Sequence, residues 1–350
     1  MSVGKRVGDV GIKVGELPSG PLGKIGDVPG VRVGHATIDE GNGRTGVTVL
    51  LPGGGDIFER KFEAASHVLN GFGKTAGLVQ IDELGTLESP IAFTNTLNVG
   101  VVSDALVEYA LDLDRLRGGR LTSVNPVVCE CNDSYLNDIR SRFVRKEHVF
   151  EAIASASADF EEGGVGAGTG MSCHGLKGGI GSASRILGFD DGDYVLGMLV
   201  LSNHGLLRDL RVAGRRIGEE LAGKMGAVNA VERGSCISVI ATDLPLSSRQ
   251  LGRLCRRVGV GLARLGSYLG HGSGEIAIAF STANAAPNDS AADFRECRCL
   301  NEDRLDRVFR AVAECAEESV LNSMLAARRT VGFMGRSRES LADWYPGGAS

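Results

Sequence analysis

Four stretches of this chain set hydroxyl, amide, thiol or carboxylate groups where they could do chemistry. Gly234-Ser235 places a small residue and then a hydroxyl at the mouth of a β-branched run, SCISVIAT. Taken alone, that dipeptide also reads as a turn entering a strand. Ser202-Asn203-His204-Gly205 follows an apolar run, and the Asn203 amide could either donate to an oxyanion or cap the turn. Gly272-Ser273-Gly274-Glu275 stands directly before another strand-like run. Its small residues would let a second backbone approach a hydroxyl and a carboxylate, although an ordinary turn has the same text. The fourth stretch is Gly163 to Gly179, GGVGAGTGMSCHGLKGG. Gly166, Gly168 and Met171 fall at GxGxxG spacing without the third glycine, and Lys177 completes no Walker pattern, so a nucleotide site is not expected. A structural loop rich in backbone N–H groups is. Cys173 beside His174 is the competing nucleophile, weakened because neighbours on a strand face opposite ways.

Metal ligation has little support in the spacing. Cys129/Cys131 and Cys297/Cys299 are Cys-x-Cys pairs, and no histidine lies within a few residues of either. Thiols half-buried in strands or loops are expected, with no metal and no cofactor.

The elements that would hold these groups alternate between strands and helices. Val31 to Leu51 reads as a hairpin around an Asp-Glu-Gly-Asn-Gly turn, and Gly73 to Ile81 as a further strand. Asn98 to Leu111 has helical spacing, Leu121 to Glu130 is strand-like, and Lys146 to Ala156 should be helical. Lys177–Leu187 and Tyr194–Leu201 read as a strand pair. A polar stretch between His204 and Gly234 is expected to be exposed before the strand that Ser235 opens. Ser247 and Gln250 have capping-box spacing at the head of a helix to about Leu265. Ile276 to Ser281 is a strand, and Glu302 to Arg328 a long helix. Residues 1–25 look like a loosely held lead-in.

Composition bounds the rest. The 350 residues are 43% hydrophobic and 23% charged, enough for one large core or two modest ones. The 51 glycines show no three-residue period, which excludes collagen and points to tight turns and close backbone approaches. With a net charge of −5 and basic residues at Arg253–Arg257 broken by apolar ones, no nucleic-acid surface is expected. Residues 1–30 lack the apolar stretch of a signal peptide, and no run reaches the ~18 apolar residues of a membrane span. A reduced, cytoplasmic protein without a membrane partner is the expectation.

Together the motifs resemble a known family. LVLSNHG, ERGSCISVIATDLPLSSRQLGRLCRRVGVGLARLG and HGSGEIAIAFSTAN are similar to segments of the L-aminopeptidase/D-esterases and β-aminopeptidases, peptidase family S58. SPIAFTNTLNVG, VVCECNDSYLND and GAGTGMSCHGLKGGIGSASR extend the resemblance in order over nearly the whole chain. It implies an α/β fold, a four-layer αββα sandwich of the N-terminal-nucleophile type, as a single unit over residues 1–350. It also implies self-cleavage at Gly234–Ser235 into fragments 1–234 and 235–350. Ser235 would then be the nucleophile, with Ser273 and Glu275 supporting its hydroxyl and amine and Asn203 helping to form the oxyanion hole. Glu130 would hold the ammonium group of a short peptide, amide or ester substrate, and Asn132 would shape the pocket. Cys129 and Cys131 depart from relatives that carry Gly and Thr there, and Cys236 directly follows the nucleophile, so substrate preference does not carry over. The family implies a homotetramer, with the long C-terminal helix as a candidate interface. The alternatives are an acyltransferase of the ornithine acetyltransferase type on the same fold, which uses Thr after the cut, and an unprocessed relative that only binds.

Overall fold

The computed structural model describes residues 4–225, Glu232 and 234–345. In chain order the strands among the described residues are β1 (Arg32–Glu40), β2 (Gly43–Leu51), β3 (Arg60–Gly71), β4 (Thr86–Leu87), β5 (Ile91–Asn95), β6 (Val127–Cys131), β7 (Ser172–Cys173), β8 (Leu176–Lys177), β9 (Gly179–Phe189), β10 (Gly192–Asn203), β11 (Ser235–Thr242), β12 (Gly274–Pro287), β13 (Thr330–Val331) and β14 (Ser337–Arg338). The helices are α1 (Leu78–Leu84), α2 (Val99–Arg115), α3 (Lys146–Ala154), α4 (Ile217–Met225), α5 (Ser248–Cys255), α6 (Val258–Arg264) and α7 (Leu305–Ala326).

The two large sheets are ordered β1-β2-β5-β6 and β4-β3-β12-β11-β10-β9. The period-2 alternation of β11 shows how they stack. Ile237 and Val239 point toward Cys129, Cys131, Phe93 and Leu50 of the other sheet, while Cys236 and Ile240 point toward Leu251, Leu254 and Val312 of the helices. A third cluster joins Val47, Val49 and Val128 of the first sheet to Val102, Leu106 and Val149 of α2 and α3. Three apolar layers between four secondary-structure layers make an αββα sandwich.

Most expected elements form. The β1/β2 hairpin pairs antiparallel from Arg32↔Leu51 to Glu40↔Gly43, and β9 pairs antiparallel with β10. At Ser247 the capping box is complete, its side chain accepting from the Gln250 N–H while the Gln250 side chain accepts from the Ser247 N–H. The helix it opens is broken after Cys255, although the stripe from Leu251 to Leu265 stays buried across the break.

Other expectations are corrected. Gly73 to Ile81 is not a strand: Gly77 adopts φ 89 and starts α1, which exposes Val79 and buries Ile81. Only Ala76 bridges to a strand, at Val128. Residues 121–126 precede β6 as irregular chain. The polar stretch after His204 contains the half-buried helix α4, anchored by Leu221 and Ala222; residues 226–231 and Arg233 of that stretch lie outside the described residues.

The lead-in is firmly held from residue 4 on, while residues 1–3 lie outside the described set. Val7, Val14 and Ile25 are buried, and Arg6 donates to the carbonyls of Leu22, Gly23 and Ser182. Finally, every residue of α7 from Ala311 to Leu325 is buried within the chain itself, while Asp306, Arg307 and Arg310 of its first turns are exposed.

Candidate active site

Ser235 is the first residue of β11, a central strand flanked by β10 and β12. Register brings it opposite Asn203, the last residue of β10, and opposite Gly274 near the head of β12. Three of the four chemistry-bearing stretches therefore converge at one sheet end. The preceding Gly234 carbonyl accepts the Gly274 N–H at 3.0 Å. A Cβ at position 234 would lie 2.2 Å from the Asn203 carbonyl oxygen and 2.8 Å from the His204 Cα, so only glycine fits this approach. Gly234, Ser235, Asn203, Glu130, Asn132 and Gly272 all line one cavity of about 1010 Å³.

Asn203 is locked by its neighbours. Its Oδ1 accepts the Ser172 N–H at 2.8 Å and its Nδ2 donates to the Asn132 carbonyl at 3.0 Å. A side-chain amide carries two hydrogens, so one remains for the cavity. Asn132 is exposed at the rim and forms an Asx turn with the Ser134 N–H. Glu130 is buried in the wall, its Oε1 accepting the Lys74 N–H at 3.0 Å and its Oε2 accepting the Thr96 hydroxyl. Both bonds hold the side chain in one orientation at the cavity wall.

Ser273 and Glu275 lie fully buried and neither lines the cavity. The Ser273 hydroxyl donates to Glu275 Oε1, while Oε2 is buried with no hydrogen-bond partner among the described residues. Burial pushes the Glu275 carboxyl up to about 7; donation from Ser273 opposes the rise and the nearby Glu232 charge adds to it. Register pairs Cys236, not Ser235, with Glu275. Alternation then sends the Ser235 and Glu275 side chains to opposite faces of the sheet. The expectation that Glu275 meets the Ser235 hydroxyl is corrected by this geometry.

Two neighbours escaped the sequence reading. Glu232, three residues before Ser235, lines the cavity and accepts from the N–H groups of Gly205 (3.2 Å) and Gly270 (3.1 Å) and from the Ser267 hydroxyl (3.4 Å). It thereby pins the chain just ahead of Gly234. The Cys131 thiol, held well above its ordinary pKa chiefly by burial, lies in hydrogen-bonding reach of the Ser235 side chain. In the sequence Cys131 reads only as half of a Cys-x-Cys pair and Glu232 only as part of the ERGSCIS motif, and their approach to Ser235 and the cavity is shown by the fold. Near the mouth, Arg338 stacks 3.5 Å from the Tyr135 ring centroid and donates from Nε to the Ser172 hydroxyl at 3.1 Å.

The glycine-rich stretch is structural, as expected. Lys177 is buried there and donates to the carbonyls of Gly168 (2.8 Å) and Gly178 (2.7 Å), burial pulling its pKa down to about 7. Cys173 is excluded as the nucleophile: it is fully buried, does not line the cavity, and burial pushes its thiol up to about 12. No described helix is long and apolar enough to cross a membrane.

A model of peptidase family S58 matches residues 23–338. The β-peptidyl aminopeptidase BapA of Sphingosinicella microcystinivorans is 38% identical over 361 residues, covering 97% of this chain and 90% of that protein. A solved β-aminopeptidase from a Burkholderia species is 42% identical, with a TM-score of 0.88 over 96% of this chain and 95% of its own. The L-aminopeptidase D-Ala-esterase/amidase of Ochrobactrum anthropi, described as a serine aminopeptidase with a variant of the Ntn hydrolase fold, superposes with a TM-score of 0.90 at 34% identity. That superposition covers 97% of this chain and 96% of the other.

Proposed function

The chain belongs to peptidase family S58 and is an aminopeptidase, and we propose that it works by cutting itself at Gly234–Ser235 and using the freed Ser235 as nucleophile. One observation carries this reading: Ser235 heads a central strand at the cavity wall, with the Gly234 carbonyl already held by the Gly274 N–H. In the precursor, the Ser235 hydroxyl adds to that carbonyl, and the Gly274 N–H stabilises the developing oxyanion. The C–N bond breaks, leaving an ester and a free amine, and water hydrolyses the ester to a Gly234 carboxylate. Fragments 1–234 and 235–350 stay interleaved in one sandwich, because β11 and β12 of the second fragment sit between β10 and β3 of the first.

In the mature enzyme the same hydroxyl attacks the substrate carbonyl and forms an acyl-enzyme. A serine hydroxyl needs a base at neutral pH. The new α-amine, with an ordinary pKa of about 7.7–8.0, is partly neutral there and can take the proton. In this reading Glu275, whose Oε2 has no partner among the described residues and whose Oε1 is held by Ser273, accepts a hydrogen bond from that amine. Asn203 supplies its spare amide hydrogen to the oxyanion, and Glu130 receives the substrate ammonium. A carboxylate fixed in the wall selects substrates with a free N-terminus: short peptides, amino-acid amides or esters, with β-peptides included on the strength of the relatives' names. Asn132 at the rim shapes the approach, and a homotetramer in the cytoplasm is the proposed working state.

A chromogenic aminoacyl anilide tests the chemistry. Mixing should release a burst of aniline equal to the enzyme concentration, and rapid acid quench followed by peptide mapping should place the acyl group on Ser235. An adduct on any other residue would overturn the assignment.

A further inference from the structure

Behind Asn203, three ligand-type side chains meet that the reaction does not use. One ligand atom each from Cys173, His174 and His204 lies within 4.8 Å of the other two, and all three residues are buried. The two imidazole rings meet edge to face at 5.4 Å, and His204 Nδ1 stands 4.0 Å from the Cys173 sulfur. Each ring also keeps a buried Nε2 with no hydrogen-bond partner among the described residues. Leaving two such nitrogens dry and unpaired costs free energy unless something binds them.

The backbone is shaped to bring these groups together. His174 and Gly175, at φ 47 and 72, form the two-residue turn between β7 and β8. Left-handed residues at both positions fit the tight hairpin turn that folds the His174 ring back. The His174 N–H donates to the His204 carbonyl at 2.7 Å, locking the turn to the end of β10. Gly205 packs so close that a Cβ there would fall 2.4 Å from His174 Cε1. His174 Nδ1 bonds the Leu206 carbonyl at 3.1 Å, which fixes its proton on Nδ1 and leaves the buried Nε2 with a lone pair and no hydrogen-bond partner among the described residues. A backbone carbonyl orienting the far nitrogen in this way is how metal-binding histidines are set.

We propose that Cys173, His174 and His204 bind a zinc(II) ion, with the fourth position open toward the cavity that His204 lines. One sulfur and two nitrogens are ligands zinc accepts in tetrahedral geometry, where they would stand about 3.4–3.6 Å apart. Small side-chain rotations close the present spacing to that. Binding converts the Cys173 thiol to a coordinated thiolate, its proton passing to solvent through the cavity. The ion would clamp the β7–β8 hairpin to the β10 end that carries Asn203, a structural role separate from the serine chemistry. Sequence spacing hides the cluster because Cys173 and His204 are 31 residues apart.

Cobalt(II) followed by zinc(II), titrated into chelator-treated full-length protein, provides the test. The background is a Cys297→Ser/Cys299→Ser variant, which removes the exposed thiols. One cobalt per chain should bind with a thiolate-to-cobalt charge-transfer band, and one zinc should displace it. Cys173→Ala should abolish the band. His204→Gln keeps every buried thiol and should weaken zinc binding at least tenfold, which serves the test if Cys173→Ala does not fold. A band that survives in Cys173→Ala, unchanged zinc affinity in His204→Gln, or folded background protein taking up no stoichiometric metal would each overturn the proposal.

Discussion

The proposed chemistry rests on a few groups whose environments differ sharply over short distances. Asn203 is held by two hydrogen bonds and keeps one hydrogen for the cavity. Asn203→Ala should lower kcat by roughly 10² to 10³ with KM little changed, the signature of an interaction made only in the transition state. Steady-state kinetics on an aminoacyl anilide checks this; a loss confined to KM would assign Asn203 to binding. Glu275 gives a pH prediction. Burial raises its carboxyl from 4.5 to about 7, so the folded chain keeps a proton that the unfolded chain has already released. This contribution to stability is complete below about pH 4.5 and is lost as pH rises through 7, worth up to roughly 3 kcal/mol. Thermal melts of Ser235→Ala and of Ser235→Ala/Glu275→Gln should show the decline between about pH 5 and 7.5 flattened in the second. Equal slopes would mean Glu275 is ionised throughout. Ser235, Asn203, Ser273 and Glu275 were legible as family motifs. Glu232 and Cys131 stand in the same motifs, but their contacts at the site were not legible because those depend on the fold.

Among the elements, local chemistry was readable where it was self-contained. The capping box at Ser247 needs only residues three apart, and it forms as expected. Ser247→Ala should cost about 0.5–2 kcal/mol, seen as a lower melting midpoint with self-cleavage intact. No shift in the midpoint would mean the cap is replaced by water. Gly73 to Ile81 was misread because a short apolar run with glycines fits a strand or a helix equally well. The left-handed Gly77 decides for a helix start. The face assignment of Glu275 was likewise invisible, since strand register is set by pairing across the sheet.

At the scale of the molecule, glycine-rich text concealed how tightly the lead-in is bound. Arg185 is fully buried, with Nε on Glu314 at 2.8 Å and Nη2 on both Glu318 (2.7 Å) and the Val14 carbonyl (2.8 Å). It ties the lead-in, β9 and α7 together. Arg185→Met leaves two buried carboxylates unpaired and should cost roughly 3–5 kcal/mol, measured by chemical denaturation. A cost under ~1 kcal/mol would show that water or the lead-in compensates. Light scattering on the purified protein should give four times 36.7 kDa if the proposed tetramer forms. Denaturing intact-mass spectrometry of wild type beside Ser235→Ala tests the cut at Gly234–Ser235. Two fragments are expected in the wild type, the second beginning at Ser235, and one uncut chain in the variant. A single full-length mass in both, from protein that hydrolyses aminoacyl amides, would contradict it.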